Sequence, residues 1–275
     1  MKSLSAAAIR HYQEHGYYAP VRALSTTEAA TVRRHLEEYE RVGGGLSGPL
    51  RHKSHLVFTW LNDLIRHPGI LDAVEDIIGP NVLCWGTSFF TKEARDPSFV
   101  SWHQDSTYWG LEPPDIITAL VAISESTVEN GAMRVIPDSH IGEQLAHRDT
   151  FARDNLLSRG QEIVVDVDGS KAVDLVLQPG EMSLHHVRLI HGSEPNPSVR
   201  RRIGFAIRYL PTHVRQTVGE RDFATLVRGV DTYHNFEVER RPDADMSAAA
   251  LAFHARVTGA QEQVLMRETG RAMRA

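Results

Sequence analysis

Arg202-Ile203-Gly204-Phe205-Ala206-Ile207-Arg208-Tyr209 alternates strictly between two kinds of residue. In an extended chain, successive side chains point to opposite faces. Ile203, Phe205, Ile207 and Tyr209 therefore form one apolar face, suited to packing against a helical layer. Arg202, Gly204, Ala206 and Arg208 form the opposite face. An arginine beside two very small residues leaves an open space with a fixed cation at one end.

Outward from this stretch, the preceding chain carries short β-type runs separated by Pro, Gly, Asn and Asp. Strands are predicted near 82–92, 98–104, 116–124, 132–136, 161–166, 173–177 and 181–187, with 201–210 the last. Many short strands with turn signals between them indicate a sandwich or barrel. The polar segment 143–160, with His147-Arg148-Asp149, reads as a long insertion or lid. The first quarter reads as helical. Ser25-Thr26-Thr27-Glu28 is an N-cap pattern opening a helix to about Tyr39, which Gly43-Gly44-Gly45 stops. Leu61, Leu64, Ile65, Leu71, Val74 and Ile77 predict one further helix from Leu61 to Ile78, ended by Gly79-Pro80-Asn81. After Pro211 the chain is less regular until a helix near 247–268. The expectation is a single domain over 1–275, mainly β with flanking α, having a helical N-terminal part of about 1–80 and a C-terminal extension of about 216–275.

Composition narrows the function classes. The chain has 275 residues, 41% hydrophobic and 24% charged, ordinary values for a globular protein. A net charge of -5 gives no electrostatic footprint for nucleic acid. No run approaches the ~18 apolar residues that span a bilayer, and the N-terminus does not read as a signal peptide. A cytoplasmic location, without membrane or nucleic-acid partners, is the expectation. Cys84 is the only cysteine, in a Val82-Leu83-Cys84-Trp85 context that reads as a buried strand. The 15 histidines make histidine placement worth reading.

Trp102-His103-Gln104-Asp105 places an imidazole and a carboxylate two residues apart, so a strand would direct both to one point. His191, in Leu189-Ile190-His191-Gly192-Ser193, supplies a distant third donor. Two histidines and one carboxylate can occupy one face of an octahedron and leave three positions open, the arrangement expected for non-haem iron(II) oxygenases. A His-x-Asp triplet also arises by chance, and the combination gains weight from Arg202, eleven residues beyond His191. Its guanidinium fork matches the far carboxylate of a dicarboxylate whose other end chelates the metal. The competing reading of Arg202 is a surface arginine on a half-exposed strand. Lys92 shares a predicted strand face with Phe90 and Ser88, and either points inward or snorkels. Of His185 and His186, one faces inward and the other away.

Trp102-His103-Gln104-Asp105 with Tyr108-Trp109 is followed by the run Glu129-Asn130-Gly131-Ala132-Met133-Arg134-Val135-Ile136-Pro137-Asp138-Ser139-His140. His191-Gly192-Ser193, Asn196 and Arg202 come after it. In this order the motifs resemble the phytanoyl-CoA dioxygenase family over about residues 10–215. The resemblance implies a double-stranded β-helix, or jelly roll, with flanking helices. It implies Fe(II), 2-oxoglutarate and O2 as reactants, and a small-molecule substrate that it does not specify. His103, Asp105 and His191 fall on the metal ligands. Arg202 falls on the arginine for the distal carboxylate of 2-oxoglutarate. Ser193 and Thr118 fall near positions that assist that carboxylate, and Lys92 is a further candidate on the cosubstrate. Trp109 and His185 fall where the family lines the substrate pocket, and Arg188 is a candidate for an anionic substrate. Related halogenases carry a small residue in place of the carboxylate, so Asp105 implies hydroxylation rather than halogenation and leaves desaturation, epoxidation and ring formation open. The reading from another class is a cupin-like metal- or sugar-binding module without oxygenase activity, and a zinc hydrolase is a third. An inward Arg202 is the feature that a plain binding module does not need.

Overall fold

The computed structural model describes residues 1–43 and 48–272. In chain order its elements are α1 (Ala6–His15), β1 (Tyr17–Arg22), α2 (Thr26–Gly43), α3 (Thr59–Leu64), α4 (Pro68–Ile78), β2 (Val82–Lys92), β3 (Val100–His103), β4 (Leu111–Glu112), β5 (Ile117–Ala122), β6 (Met133–Val135), β7 (His147–Asp149), β8 (Gln161–Ile163), β9 (Val173–Leu175), β10 (Glu181–His186), β11 (His191–Ser193), β12 (Arg202–Pro211), β13 (Arg215–Gln216), β14 (Phe223–Arg228), β15 (Glu237–Val238) and α5 (Ala248–Leu265).

A major sheet runs β1-β10-β5-β12-β2-β14-β15, and a minor sheet runs β3-β11-β6-β9. All pairings are antiparallel except β14 with β15. Two sheets with helices on one side form the expected jelly roll. The opening stretch sits at the centre of the major sheet, and its two faces divide as the alternation requires. Ile203, Phe205, Ile207 and Tyr209 are fully buried with Leu36, Phe58, Leu61, Ile65, Leu71 and Val74 of the helical layer. The Tyr209 hydroxyl donates to the Ile65 carbonyl at 2.8 Å. Arg202, Ala206 and Arg208 line a cavity between the sheets. Cys84 lies in the same helix-side core.

The helix at Ser25 starts as its capping pattern dictates. The Glu28 N–H donates to Ser25 Oγ at 3.2 Å, and the Ser25 N–H donates to Glu28 Oε2 at 2.8 Å. α2 is described as far as Gly43, and the expected stop at Gly44 and Gly45 lies outside the described residues.

Several expectations are corrected. The single helix over 61–78 is two, α3 and α4. Pro68 disfavours a helical residue before it; His67 is extended (φ −61°, ψ 127°) and caps α4 by accepting from the Gly69 N–H. The first quarter is not wholly helical, because β1 pairs with β10 at the edge of the major sheet. Gly16 makes that turn: it ends α1 at φ +77°, and a Cβ there would lie 2.5 Å from the His140 ring. The chain after Pro211 is more regular than its composition indicates, since β14 pairs with β2 and widens the major sheet. The 143–160 segment holds β7, paired with β8. No helix among the described residues is long and apolar enough to cross a membrane.

Candidate metal centre

β3 and β11 are neighbours in the minor sheet, and their register sets His191 directly opposite His103. The close approach needs Gly192, because a Cβ there would lie 2.8 Å from the Val100 carbonyl. Gln104 is extended (φ −114°, ψ 131°), so Asp105 returns to the face of His103 although it already opens a 3-10 turn. The three ligand atoms of His103, Asp105 and His191 lie within 4.8 Å of one another, and all three residues are buried. Among the described residues no other group of this kind was found.

The imidazole tautomers follow from hydrogen bonding. His103 Nδ1 lies 2.9 Å from the Ser101 carbonyl and 3.1 Å from that of His191. His191 Nδ1 lies 2.9 Å from the Leu189 carbonyl. A carbonyl only accepts, so each Nδ1 carries the proton and each Nε2 of a neutral ring offers a lone pair. Burial, reinforced by His103, pushes His191 well below the ordinary histidine range. Burial opposes ionisation of Asp105, but the polar surroundings of His103 and His191 and the nearby Arg208 cation outweigh it and hold the carboxylate well below its usual range. Two neutral imidazoles and one carboxylate are the donor set for a divalent first-row metal, and iron(II) fits it.

The cavity beside the triad is walled by Phe90, Leu120, Met133 and Ala206. Arg202 closes one end of it, 4% exposed, with Nη1 donating to the Gly131 carbonyl at 2.5 Å and Nε without a partner. Asn196 fixes the approach to β12: its Nδ2 donates to the Glu93 and Arg200 carbonyls at 2.7 and 2.8 Å. Lys92, directly opposite Arg202 in the register, turns inward and donates to Ser193 Oγ at 2.7 Å and to the Glu194 carbonyl. Burial and the neighbouring Arg202 bring its ammonium down to about 7. Arg202, Lys92 and Ser193 therefore form one polar end of the cavity.

Thr118 lines the same cavity, beside Asp105. It pairs across from Arg208 and His185, and its hydroxyl donates to Asp105 Oδ2 at 3.4 Å. His185 is the inward member of its pair, with Nε2 4.0 Å from Asp105 Oδ2 and its ring 4.8 Å from that of His191. Burial holds it near 4. Trp109 packs on Trp85 at 4.8 Å and lines a second cavity that shares Asp105 and Arg208 with the first. Arg188 lines neither of these cavities; its carbonyl accepts from Gln104 Nε2 at 2.8 Å.

Two residues without a sequence-derived role emerge. Gln104, fully buried between the ligands, docks the 143–160 segment: its Oε1 accepts from Gln144 Nε2 and the Leu145 N–H at 2.9 and 2.8 Å. Alternation already directs it away from the metal, which is the available signal. Arg208 shares the inward face with Arg202, and only the level of neighbouring strands shows what it meets.

Comparison with known proteins agrees with this geometry. The family model for phytanoyl-CoA dioxygenase (PhyH) matches residues 12–204. A probable alpha-ketoglutarate-dependent hypophosphite dioxygenase of Stutzerimonas stutzeri is 31% identical over 180 residues, covering 62% of this chain and 61% of that protein. The chain spans about half the length of the curated relatives it matches. Among solved structures, the apo non-heme monooxygenase ThoJ superposes with a TM-score of 0.81 at 35% identity, covering 94% of this chain and 97% of its own. CytC3 with Fe(II) and alpha-ketoglutarate gives 0.63 at 26% identity, covering 87% and 94%. With the motif order, the jelly roll and the buried triad in place, the chain belongs to the phytanoyl-CoA dioxygenase family.

Proposed function

We propose that the protein is an iron(II)- and 2-oxoglutarate-dependent dioxygenase that hydroxylates a C–H bond of a small molecule. The overall reaction consumes one dioxygen, places one oxygen atom in the substrate, and releases succinate and CO2. His103, Asp105 and His191 would hold the iron, which when bound supplies dioxygen activation, with 2-oxoglutarate giving up two electrons as it decarboxylates.

The chain's own residues do the positioning. Neutral His103 and His191 present Nε2 lone pairs, and ionised Asp105 lowers the charge of the centre. Asp105 fills the position that a halide would need, which supports hydroxylation. Arg202 provides a fixed guanidinium for the far carboxylate of the cosubstrate, with Lys92 and Ser193 beside it as further donors. The apolar wall of Phe90, Leu120 and Met133 excludes water, strengthening these charge contacts. Trp109 and His185 border the reacting end.

The observation that carries this reading is Arg202, buried in the triad's cavity with its Nε unpartnered. A buried guanidinium with unused donors is costly unless an anion completes it. A metal- or sugar-binding module has no need of such a group. The test separates the two sites. Arg202→Ala should weaken 2-oxoglutarate binding by about tenfold or more, the scale of a lost charge-assisted pair, while metal affinity stays within about twofold. Equal loss of both in calorimetric titrations would contradict the assignment.

A further inference from the structure

The cavity lined by Trp85, Trp109, Leu157 and Leu265 meets the metal-triad cavity at Asp105, Phe90, Leu156 and Arg208. Arg208 is 9% exposed. Its Nη1 donates to Ser88 Oγ at 2.7 Å, while its Nε has no partner. Among the described residues it makes no ion pair within salt-bridge distance. The Ser88 hydroxyl lies 2.9 Å from His52 Nδ1, so it accepts from Arg208 and donates to a neutral His52. This anchors one edge of the guanidinium and leaves the rest to the cavity. The faces of Phe90 and Trp109 lie 5.9 and 5.6 Å from its Cζ, holding the cation without neutralising it. Beside it, Arg51 donates to the Phe89 carbonyl at 2.9 Å and also leaves a buried nitrogen, Nη2, unpartnered.

The charged side chains lining the two cavities are Lys92, Arg202 and Arg208 against Asp105. In the reading proposed above, on which this inference rests, Asp105 is committed to the metal. One carboxylate of 2-oxoglutarate joins it there, and the other takes Arg202 and Lys92. Neither end of the cosubstrate remains for Arg208. A buried guanidinium with open donors and no counter-ion calls for an anion that arrives with the substrate.

We propose that Arg208 selects an anionic substrate, pairing with an oxyanion head group while the apolar body lies along the wall of Trp85, Trp109, Leu157 and Leu265. This places substrate recognition on the same strand face as cosubstrate recognition, with Gly204 and Ala206 separating the two cations. Asp105, shared by both cavities, would bring the bound molecule beside the metal.

Hexanoate and hexylphosphonate, with 1-hexanol and hexanamide as neutral analogues, provide the probes for calorimetric titration. They are added anaerobically to protein loaded with iron(II) and 2-oxoglutarate, and separately to metal-free protein. At least one acid should bind about tenfold or more tightly than the neutral analogues, and the better acid identifies carboxylate or phosphonate as the preferred head group. Arg208→Gln should abolish that preference, Arg208→Lys should restore part of it, and 2-oxoglutarate affinity should stay unchanged in both. Equal binding of acids and neutrals, no binding of either acid, or acid preference surviving in Arg208→Gln would overturn the proposal. Loss of 2-oxoglutarate or metal affinity in Arg208→Gln, with the acid preference intact, would reassign Arg208 to the cosubstrate or to Asp105. If wild type shows acid preference on metal-free protein but never binds 2-oxoglutarate, the oxygenase reading fails and the anion site stands.

Discussion

At the scale of residues, the tautomers of the histidines decide what each can do. His103 and His191 spend Nδ1 on carbonyls and leave Nε2 free, as the proposed metal site requires. His186 does the reverse: its Nδ1 accepts from the Arg188 N–H at 3.1 Å, so protonation there breaks the bond. Burial, with His140 and Arg188 nearby, holds His186 near 4 against an ordinary 6.5. Between those values the unfolded chain binds more protons than the folded one, so stability falls as pH drops from about 6.5 to about 4. His186→Asn removes the titrating group, and its melting temperature should fall less than that of wild type over this window. An identical pH profile would contradict the account. The convergence of His103, Asp105 and His191 was legible in sequence because the two-residue periodicity and motif order concern local direction. The surroundings of Arg188 were not, because local alternation does not set the level at which a segment meets its neighbours.

At the scale of elements, the two faces of β12 do different work. Ile207 is fully buried against the helical layer. Ile207→Ala should cost about 2–5 kcal/mol in denaturant unfolding, with 2-oxoglutarate affinity in the folded fraction preserved. Ala206 lines the metal-triad cavity. Ala206→Leu should leave unfolding within about 1–3 kcal/mol of wild type and block cosubstrate binding. The opposite pattern of losses would reverse the faces. This division was readable because eight consecutive residues alternate. The break between α3 and α4 was hidden by an apolar spacing that continues across it, although Pro68 marks it. The short strand β11 has no period of its own, and its pairing with β3 and β6 is what defines it.

At the scale of the whole molecule, a buried charge cluster ties the chain after β15 to the N-terminal region. Lys53, His55 and Glu239 are all nearly inaccessible, and they join the N-terminal region to the segment after β15. Lys53 Nζ donates to Glu239 Oε1 at 2.5 Å, and His55 Nε2 lies 3.1 Å from Oε2. Burial opposes the Glu239 charge, yet Lys53 and His55 hold its carboxyl down to about 2. Glu239→Gln leaves Lys53 as a buried cation without its carboxylate, which should cost about 3–5 kcal/mol of stability by chemical denaturation. A change under about 0.5 kcal/mol would remove this contact from the account. Irregular composition after Pro211 concealed the connection, because a charge cluster assembled from residues so far apart in sequence leaves no local signature.

The central claim concerns three residues and one cosubstrate. Its most direct test is the visible metal-to-ligand charge-transfer absorption formed when iron(II) and 2-oxoglutarate are added anaerobically to the purified protein. The band should appear with wild-type protein and disappear in His103→Ala and His191→Ala. Absence of the band in wild type, or its persistence in both variants, would contradict the account.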